Sequence, residues 1–445
     1  MRRLDRYHRR SPKYSGDCVS YEIIQKVLPS GLTVILAPRQ GTSIVSEVFV
    51  VRAGGRYETP EMCGISHFLE HMMSKGTKRR PTALDITREF DATGGEHNAF
   101  TSAEMMYFFL SADAIYTELI HDLLSDRILQ SQFAPEAIES EKGVIIEEIR
   151  TSKDDVSANL AAHWFKLLYG NQPAGRDFIG TEKTIKAMRR EHLRNYMEKL
   201  YVASNSAVCV AGRIPDPVRA FEDIEKFFAG MSRATPGLLM APVVERQRKP
   251  ALLLNPSPIG QASILLGVRT YGLTHPDHSV LRVIAALLGG YTSSRIYLEL
   301  RERGLVYEAG MSIESQADIG DLAAYANLKK GHLIEGLRII MYHYRSMAAG
   351  EFSEGEVRCA KSYLIGSRKM DLENSCDMAM DLAAQFALCG KALTFEERDR
   401  RIEAVTPADV QRVARDIFIN EKLNLAIAGP YRRGLEEKIA KILSF

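Results

Sequence analysis

Two histidines and a glutamate stand within five residues of one another, as His67-Phe68-Leu69-Glu70-His71. No glycine or proline interrupts residues 65–75, so the stretch predicts a helix. On a helix, positions three and four apart are neighbours, which places His67, Glu70 and His71 on one face. Imidazole nitrogen is a good ligand for zinc, and a catalytic zinc takes three protein ligands and leaves one position to water. A carboxylate beside that water can accept its proton and later return it, which is general acid–base chemistry. Paired histidines can also be incidental polar residues on a helix face. Three specified residue types at this spacing point instead to a metal site that needs one further ligand from elsewhere.

A second predicted helix, starting at Pro135, carries Glu136, Glu139, Glu141, Glu147 and Glu148. Glu141 and Glu148 are seven positions apart, nearly two full turns, and share a face. They stand among Val144, Ile145, Ile146 and Ile149, surroundings in which a carboxylate is rarely left without a partner. Glu136, Glu139 and Glu147 read as a solvated acidic face. Spacing narrows the missing ligand to Glu141 or Glu148 and leaves both open.

The rest of the chain must position these groups. Its 445 residues exceed what one compact core holds and suggest two or three domains. A hydrophobic content of 45% and a charged content of 26% are those of an ordinary globular protein. The net charge of +2 argues for neither a nucleic acid nor a membrane partner. Six scattered cysteines with no C-x-x-C pair suit reduced thiols in a cytoplasmic setting. Cys63, one turn before His67, is near enough to approach a metal but fits better as a buried structural thiol. No apolar run has the length of a bilayer span. Residues 1–20 read as a basic tail without the apolar segment of a secretory signal, an organellar presequence being the alternative.

Strand patterns occupy residues 21–27, 33–37, 43–51, 97–101 and 105–110, and helical ones residues 82–92, 112–130, 135–151 and 158–168. Residues 185–212 and 402–429 then align without a gap at one offset (402 − 185 = 217), each reading helix, turn and a strand ending in Ala-Gly. This repeat predicts an α+β fold of two homologous domains, each a mostly antiparallel sheet packed with helices. The proline- and charge-rich residues 233–250 separate a first domain, 21–232, from a second, 251–445. In the second, strands are expected over 251–254 and 262–268 and a helix over 277–288. His275 and His278, beside Pro276, read as turn and capping residues rather than a metal pair.

H-x-x-E-H is the inverse of H-E-x-x-H and marks the inverzincin metallopeptidases. From about residue 21 onward the chain resembles the pitrilysin-like M16 zinc metallopeptidases, especially mitochondrial processing peptidase and its bacterial relatives. The resemblance rests on His67-Phe68-Leu69-Glu70-His71-Met72 and, after 76 intervening residues (148 − 71 − 1), Glu148, the last residue of Glu141-Lys142-Gly143-Val144-Ile145-Ile146-Glu147-Glu148, which resembles the family's E-R-G-V-I-L-R-E. It implies that His67, His71 and Glu148 hold one Zn²⁺ per subunit. It further implies that Glu70 is the general base and that Glu141 is a buried acid orienting His71 or its neighbours. Gly94-Gly95-Glu96-His97-Asn98-Ala99-Phe100-Thr101 resembles the family's G-G-x-x-N-A-x-T, implying an edge strand on which Asn98 and Ala99 pair with an extended peptide. Residues 295–307 resemble its L-R-E-x-x-G-L-x-Y, with the arginine-to-tyrosine gap one residue shorter. This implies that Tyr307, with Arg301 as the candidate arginine, steadies the substrate carbonyl.

The implied function is a zinc endopeptidase cutting extended, leader or targeting peptides within a closed chamber. Many relatives carry four such domains as a clam; this chain has two, half a clam. A homodimer follows, with a heterodimer as the alternative, and with the zinc of one subunit meeting Tyr307 and Arg301 of the other. The competing reading is a non-proteolytic subunit acting in binding or assembly, against which every specified position of H-x-x-E-H is present.

Overall fold

The computed structural model describes residues 22–257, 260–430 and 434–445, so the basic tail expected over 1–20 lies outside the described residues. The strands form two sheets. The first comprises β1 (Ile24–Val27), β2 (Thr33–Pro38), β3 (Ile44–Val51), β4 (Glu96–Thr101), β5 (Met106–Asp113) and β6 (Ser206–Gly212), in the order β1-β2-β6-β3-β5-β4. The second comprises β7 (Ala251–Pro256), β8 (Gln261–Tyr271), β9 (Val306–Ser315), β10 (Ile319–Lys329) and β11 (Leu423–Gly429), in the order β7-β11-β8-β10-β9. Each sheet has one parallel pair, β2 with β6 and β7 with β11, and is otherwise antiparallel. Without β1 the two orders superimpose, so the fold is α+β with a duplicated mixed sheet packed against helices.

The offset of 217 also holds in three dimensions. Helix Arg190–Leu200 and β6 have their counterparts in helix Pro407–Ile417 and β11. Every residue of β6 and β11 is buried, as expected of strands covered on both faces. Their shared Ala-Gly ending has a steric cause. Gly212 and Gly429 adopt φ of 114° and 132°, and a Cβ would lie 2.2 Å from Ile44 O in the first and 2.4 Å from Gln261 O in the second.

Alternation along these strands assigns their faces. Val208 and Val210 meet the first domain's own helices, while Ala207, Cys209 and Ala211 face Ala379, Leu382, Ala383 and Phe386 of helix Ser375–Cys389. In the second sheet Leu425 and Ile427 meet that domain's helices, while Ala426 and Ala428 receive Leu160, Trp164 and Leu168 of helix Val156–Tyr169. Each half therefore lends one helix to the other half's sheet, and small residues line the receiving face.

The halves are also joined by charge. Buried Arg56 pairs with Glu104 of the first half and, at 2.5 Å, with Asp318 of the second. Burial raises the Asp318 carboxyl, but the Arg56 hydrogen bond and charge outweigh that and hold it below the usual range. Residues 233–250 form no helix or strand yet are anchored, through Gly237 N to Lys199 O and Val244 N to Gln172 Oε1. Among the described residues no helix is long and apolar enough to cross a membrane.

Some boundaries differ from expectation. The helix expected from residue 112 begins at Thr117, because β5 stays paired with β3 as far as Asp113, whose carboxylate then caps Ile115 N. The helix expected over 277–288 runs His278–Ala285 and opens into a wider turn, with Gly289 non-helical. His275 accepts from Asp277 N and stacks on Tyr271, and His278 bonds Ser315 Oγ at 3.0 Å.

One buried pair predicts a pH dependence. His121 Nδ1 bonds Glu47 Oε2, with side chains 2% and 1% exposed. Burial pulls the His121 pKa down, but the charge and hydrogen bond of Glu47 outweigh it and leave it raised above 6.5. A raised histidine contributes stability that is full below its unfolded pKa and lost as pH rises through its folded one. By urea unfolding at pH 6, Glu47→Gln is expected to cost about 3–5 kcal/mol. The wild-type advantage should shrink as pH rises above 6.5; an advantage that grows with pH contradicts this assignment.

Candidate metal centre

Helix Ile65–Met72 buries Ile65, Phe68, Leu69 and Met72 in the first core, which turns His67, Glu70 and His71 to the opposite face. Its start is fixed by two unusual features. Gly64 has φ of 92° and lies so close to Gly180 that a Cβ would stand 2.8 Å from the Gly180 Cα. Buried Glu58 accepts from Gly64 N at 2.8 Å and Ser66 N at 2.9 Å, occupying amides that the helix itself leaves free. Burial raises the Glu58 pKa, against the pull of the hydrogen bonds from Ser66 and Gly64. The helix ends at Met72, not at residue 75, with Met73 as its cap.

Helix Pro135–Asp154 lies against this face and carries both candidate glutamates. Glu148 Oε2 stands 3.7 Å from His67 Nε2 and 3.5 Å from His71 Nε2. One ligand atom from each of the three residues lies within 4.8 Å of the other two. Three atoms each 2.0–2.1 Å from a tetrahedral zinc would be spaced at about 3.3 Å, so the two Glu148 distances are only slightly wider than such an ion requires. Among the described residues it is the one group of three His, Cys, Asp or Glu side chains so disposed.

The protonation pattern fits a cation as well. His71 Nδ1 donates to Glu141 Oε2 at 2.9 Å, which leaves its Nε2 lone pair directed toward Glu148. Glu141 is buried and also takes Lys75 Nζ at 2.6 Å. His67 is held neutral, its pKa pulled down to about 4 by burial and then by His71. Neutral imidazole is the form that binds a metal. His67 Nδ1 is buried with no hydrogen-bond partner. Cys63 is not part of the cluster: its thiol donates to Asp177 O, and burial pushes it up to about 12.

Glu70 stands beside the cluster with its Oε2 accepting from Thr101 Oγ1 at 2.6 Å. Burial raises its pKa, and the Thr101 bond and His71 oppose that. Fully buried Arg127 lies near enough for its charge to interact with Glu70. It donates to Ser74 Oγ at 2.7 Å and, at 3.4 Å, to Met73 O just past the helix end. Thr101 belongs to β4, which pairs only with β5 and leaves its other edge open. On that strand Asn98 is exposed, and its Oδ1 accepts from Ala99 N at 2.9 Å.

Arg301 and Tyr307 meet each other but not this cluster. Arg301 Nη1 donates to Val306 O and Tyr307 O at 3.2 Å, and its guanidinium lies 5.5 Å from the Tyr307 ring centre. Tyr307 is 78% exposed on β9, the edge of the second sheet. Sequence reasoning missed Glu58, Lys75 and Arg127 and gave Thr101 no role. Thr101 alone left a signal, as the last residue of the Gly94–Thr101 run.

Glu141 should act on the metal through His71. Its replacement by Gln is expected to weaken zinc binding about 10- to 100-fold, read by competition with a chromogenic chelator. An unchanged affinity in the folded variant would show that the His71 contact is only structural.

Comparison with known proteins matches residues 33–182 to the family described as Insulinase (Peptidase family M16), and residues 187–364 to the Peptidase M16 inactive domain. The metal cluster lies wholly within the first match. An uncharacterized zinc protease of Mycobacterium leprae is 32% identical over 414 residues, 92% of each chain. The uncharacterized zinc protease YmxG of Bacillus subtilis is 29% identical, covering 90% of this chain and 97% of its own. A protease from Helicobacter pylori has the same fold, with a TM-score of 0.84 at 20% identity, over 92% of this chain and 100% of that one. The chain belongs to peptidase family M16.

Proposed function

We propose that the protein is a zinc-dependent endopeptidase acting on extended peptide segments, leader or targeting peptides among them. The observation that carries this reading is the approach of Glu148 to both Nε2 atoms, beside a Glu70 that no metal ligand position requires. His67, His71 and Glu148 would hold one Zn²⁺ per subunit. When bound, the ion supplies Lewis acidity, polarising water and a carbonyl oxygen.

Glu70 then does the proton chemistry. Burial favours its protonated form, so a carboxylate that accepts a proton from water retains it long enough to pass it to the leaving amine. Thr101 holds one carboxylate oxygen and leaves the other for water. The open edge of β4 offers main-chain groups to a substrate strand, which reads backbone rather than side chains. Ala99 N–H becomes available there once Asn98 Oδ1 releases it, and the freed Asn98 amide can pair with the same peptide.

Tyr307 and Arg301 act on the carbonyl oxygen only if a second subunit supplies them, so the proposed assembly is a homodimer with shared sites. The described cysteines are free, which suits a cytoplasmic protein.

Glu70→Gln should keep its zinc while cleavage of a quenched fluorogenic peptide falls about 10²- to 10⁴-fold. Undiminished cleavage would remove Glu70 from the mechanism. Zinc binding by a wild-type protein that cleaves no peptide would favour a non-proteolytic subunit. Mixing Glu70→Gln with Tyr307→Phe should restore one working site per mixed dimer. No recovery after verified subunit exchange would refute sharing.

A further inference from the structure

A polar cavity of about 390 Å³ lies away from the metal cluster, between helices of the second half. Five basic side chains line it, Arg282, Arg368, Lys391, Arg398 and Arg401, against one acid, Asp381. They come from helices His278–Ala285, Glu354–Asp371 and Phe395–Glu403 and from the turn after helix Ser375–Cys389. No single helix face explains the cluster; four separate pieces of chain converge on it.

The carboxylates at hand do not satisfy these cations. Arg398 pairs with Asp381, and Arg368 Nη1 donates to Asp399 at 2.5 Å. Arg368 is 6% exposed, and its Nε and Nη2 are buried with no hydrogen-bond partner. The Arg282 side chain makes no hydrogen bond or ion pair among the described residues. Burial, and after it the charges of Arg368 and Arg398, pull its pKa down to about 10, against the opposing pull of Asp381 and Asp399. A guanidinium presents a planar fork of donors matched to tetrahedral and carboxylate oxyanions.

We propose that this cavity binds a compact oxyanion carrying two or more charges, held by Arg282 and the free donors of Arg368, with Arg401 and Lys391 closing the outer side. The consequence is structural as well as local. Helix Ser375–Cys389, which leads into Lys391, is the same helix that covers the inner face of the first sheet. An anion seated there ties that helix to three helices of the second half, and so fastens the two sheets together.

The test is calorimetric titration of the full-length protein with inorganic phosphate and with sulfate, against chloride at matched ionic strength. Phosphate and sulfate also stabilise proteins without binding, so the decisive quantity is a saturable heat. Wild type should show it with both dianions and not with chloride. It should weaken about tenfold in Arg282→Met and measurably in Arg401→Met, an exposed position whose replacement leaves the fold intact. In chloride alone, Arg282→Met should unfold at a higher temperature than wild type, because a cation crowded by Arg368 and Arg398 has been removed. Three results overturn the proposal: no saturable heat in wild type, variants that titrate like wild type, or an Arg282→Met protein less stable than wild type in chloride. A response to phosphate but not sulfate would narrow the ligand to phosphate-bearing molecules and still support the site.

Discussion

Two imidazole nitrogens from one helix stand within 4 Å of a carboxylate oxygen from another, an arrangement that a shared cation would satisfy. That constraint governs the first domain. His67 Nε2, His71 Nε2 and Glu148 Oε2 converge from two helices, and nothing among them supplies the missing charge. Their positions are held from outside the cluster. Phe68 and Leu69 bury the far side of the short helix, Glu58 fastens its first amides, and Glu141 fixes the ring of His71. Lys75 in turn neutralises Glu141, so the second acid does not compete for the cation that the first three require.

The helix carrying Glu141 and Glu148 runs twenty residues, about 30 Å, far longer than the eight-residue helix it faces. Two turns separate the acid that orients from the acid that faces both imidazoles, which is why one rigid element can place both. The next helix, Val156–Tyr169, leaves the first half altogether and packs on the second sheet, where Trp164 Nε1 donates to buried Asp321 at 2.9 Å. Helix Ser375–Cys389 makes the return exchange. The metal helix pair is thus continuous with the element that joins the halves, and the relation of the two sheets is set by buried apolar contact as much as by the Arg56 ion cluster.

Much of this was legible in the chain because period and spacing are local. The three-and-four spacing of His67, Glu70 and His71 needs only a helix to become a face. The ungapped repeat at 217 residues needs only equal folds to become two sheets. Choosing Glu148 over Glu141 needed the resemblance, since both lie on the same face. What stayed hidden acts over distance through groups that carry no pattern. Glu58 works on backbone amides, Arg127 through the end of a helix, and Lys75 through a second carboxylate. The lent helices were invisible for a further reason. Small residues such as Ala207, Ala211, Ala426 and Ala428 read as strand interior whatever packs on them. The strand of β5 outran its expected end because pairing with β3 outweighed the helical pattern of the residues that follow.

Duplication also bears on the shared site proposed above. In the two sheets β4 and β9 are equivalent edges, each the last strand in its order. One carries Asn98 and Ala99 beside the metal cluster; the other carries Tyr307, with Arg301 bonded to its backbone. Tyr307 meets Arg301 and has no hydrogen bond, ion pair or ring contact with His67, Glu70, His71 or Glu148 among the described residues. The role proposed for Tyr307 at a carbonyl beside the metal cluster therefore rests on the second subunit proposed above. The exposure of Tyr307 leaves its ring and hydroxyl accessible, as the proposed shared site needs.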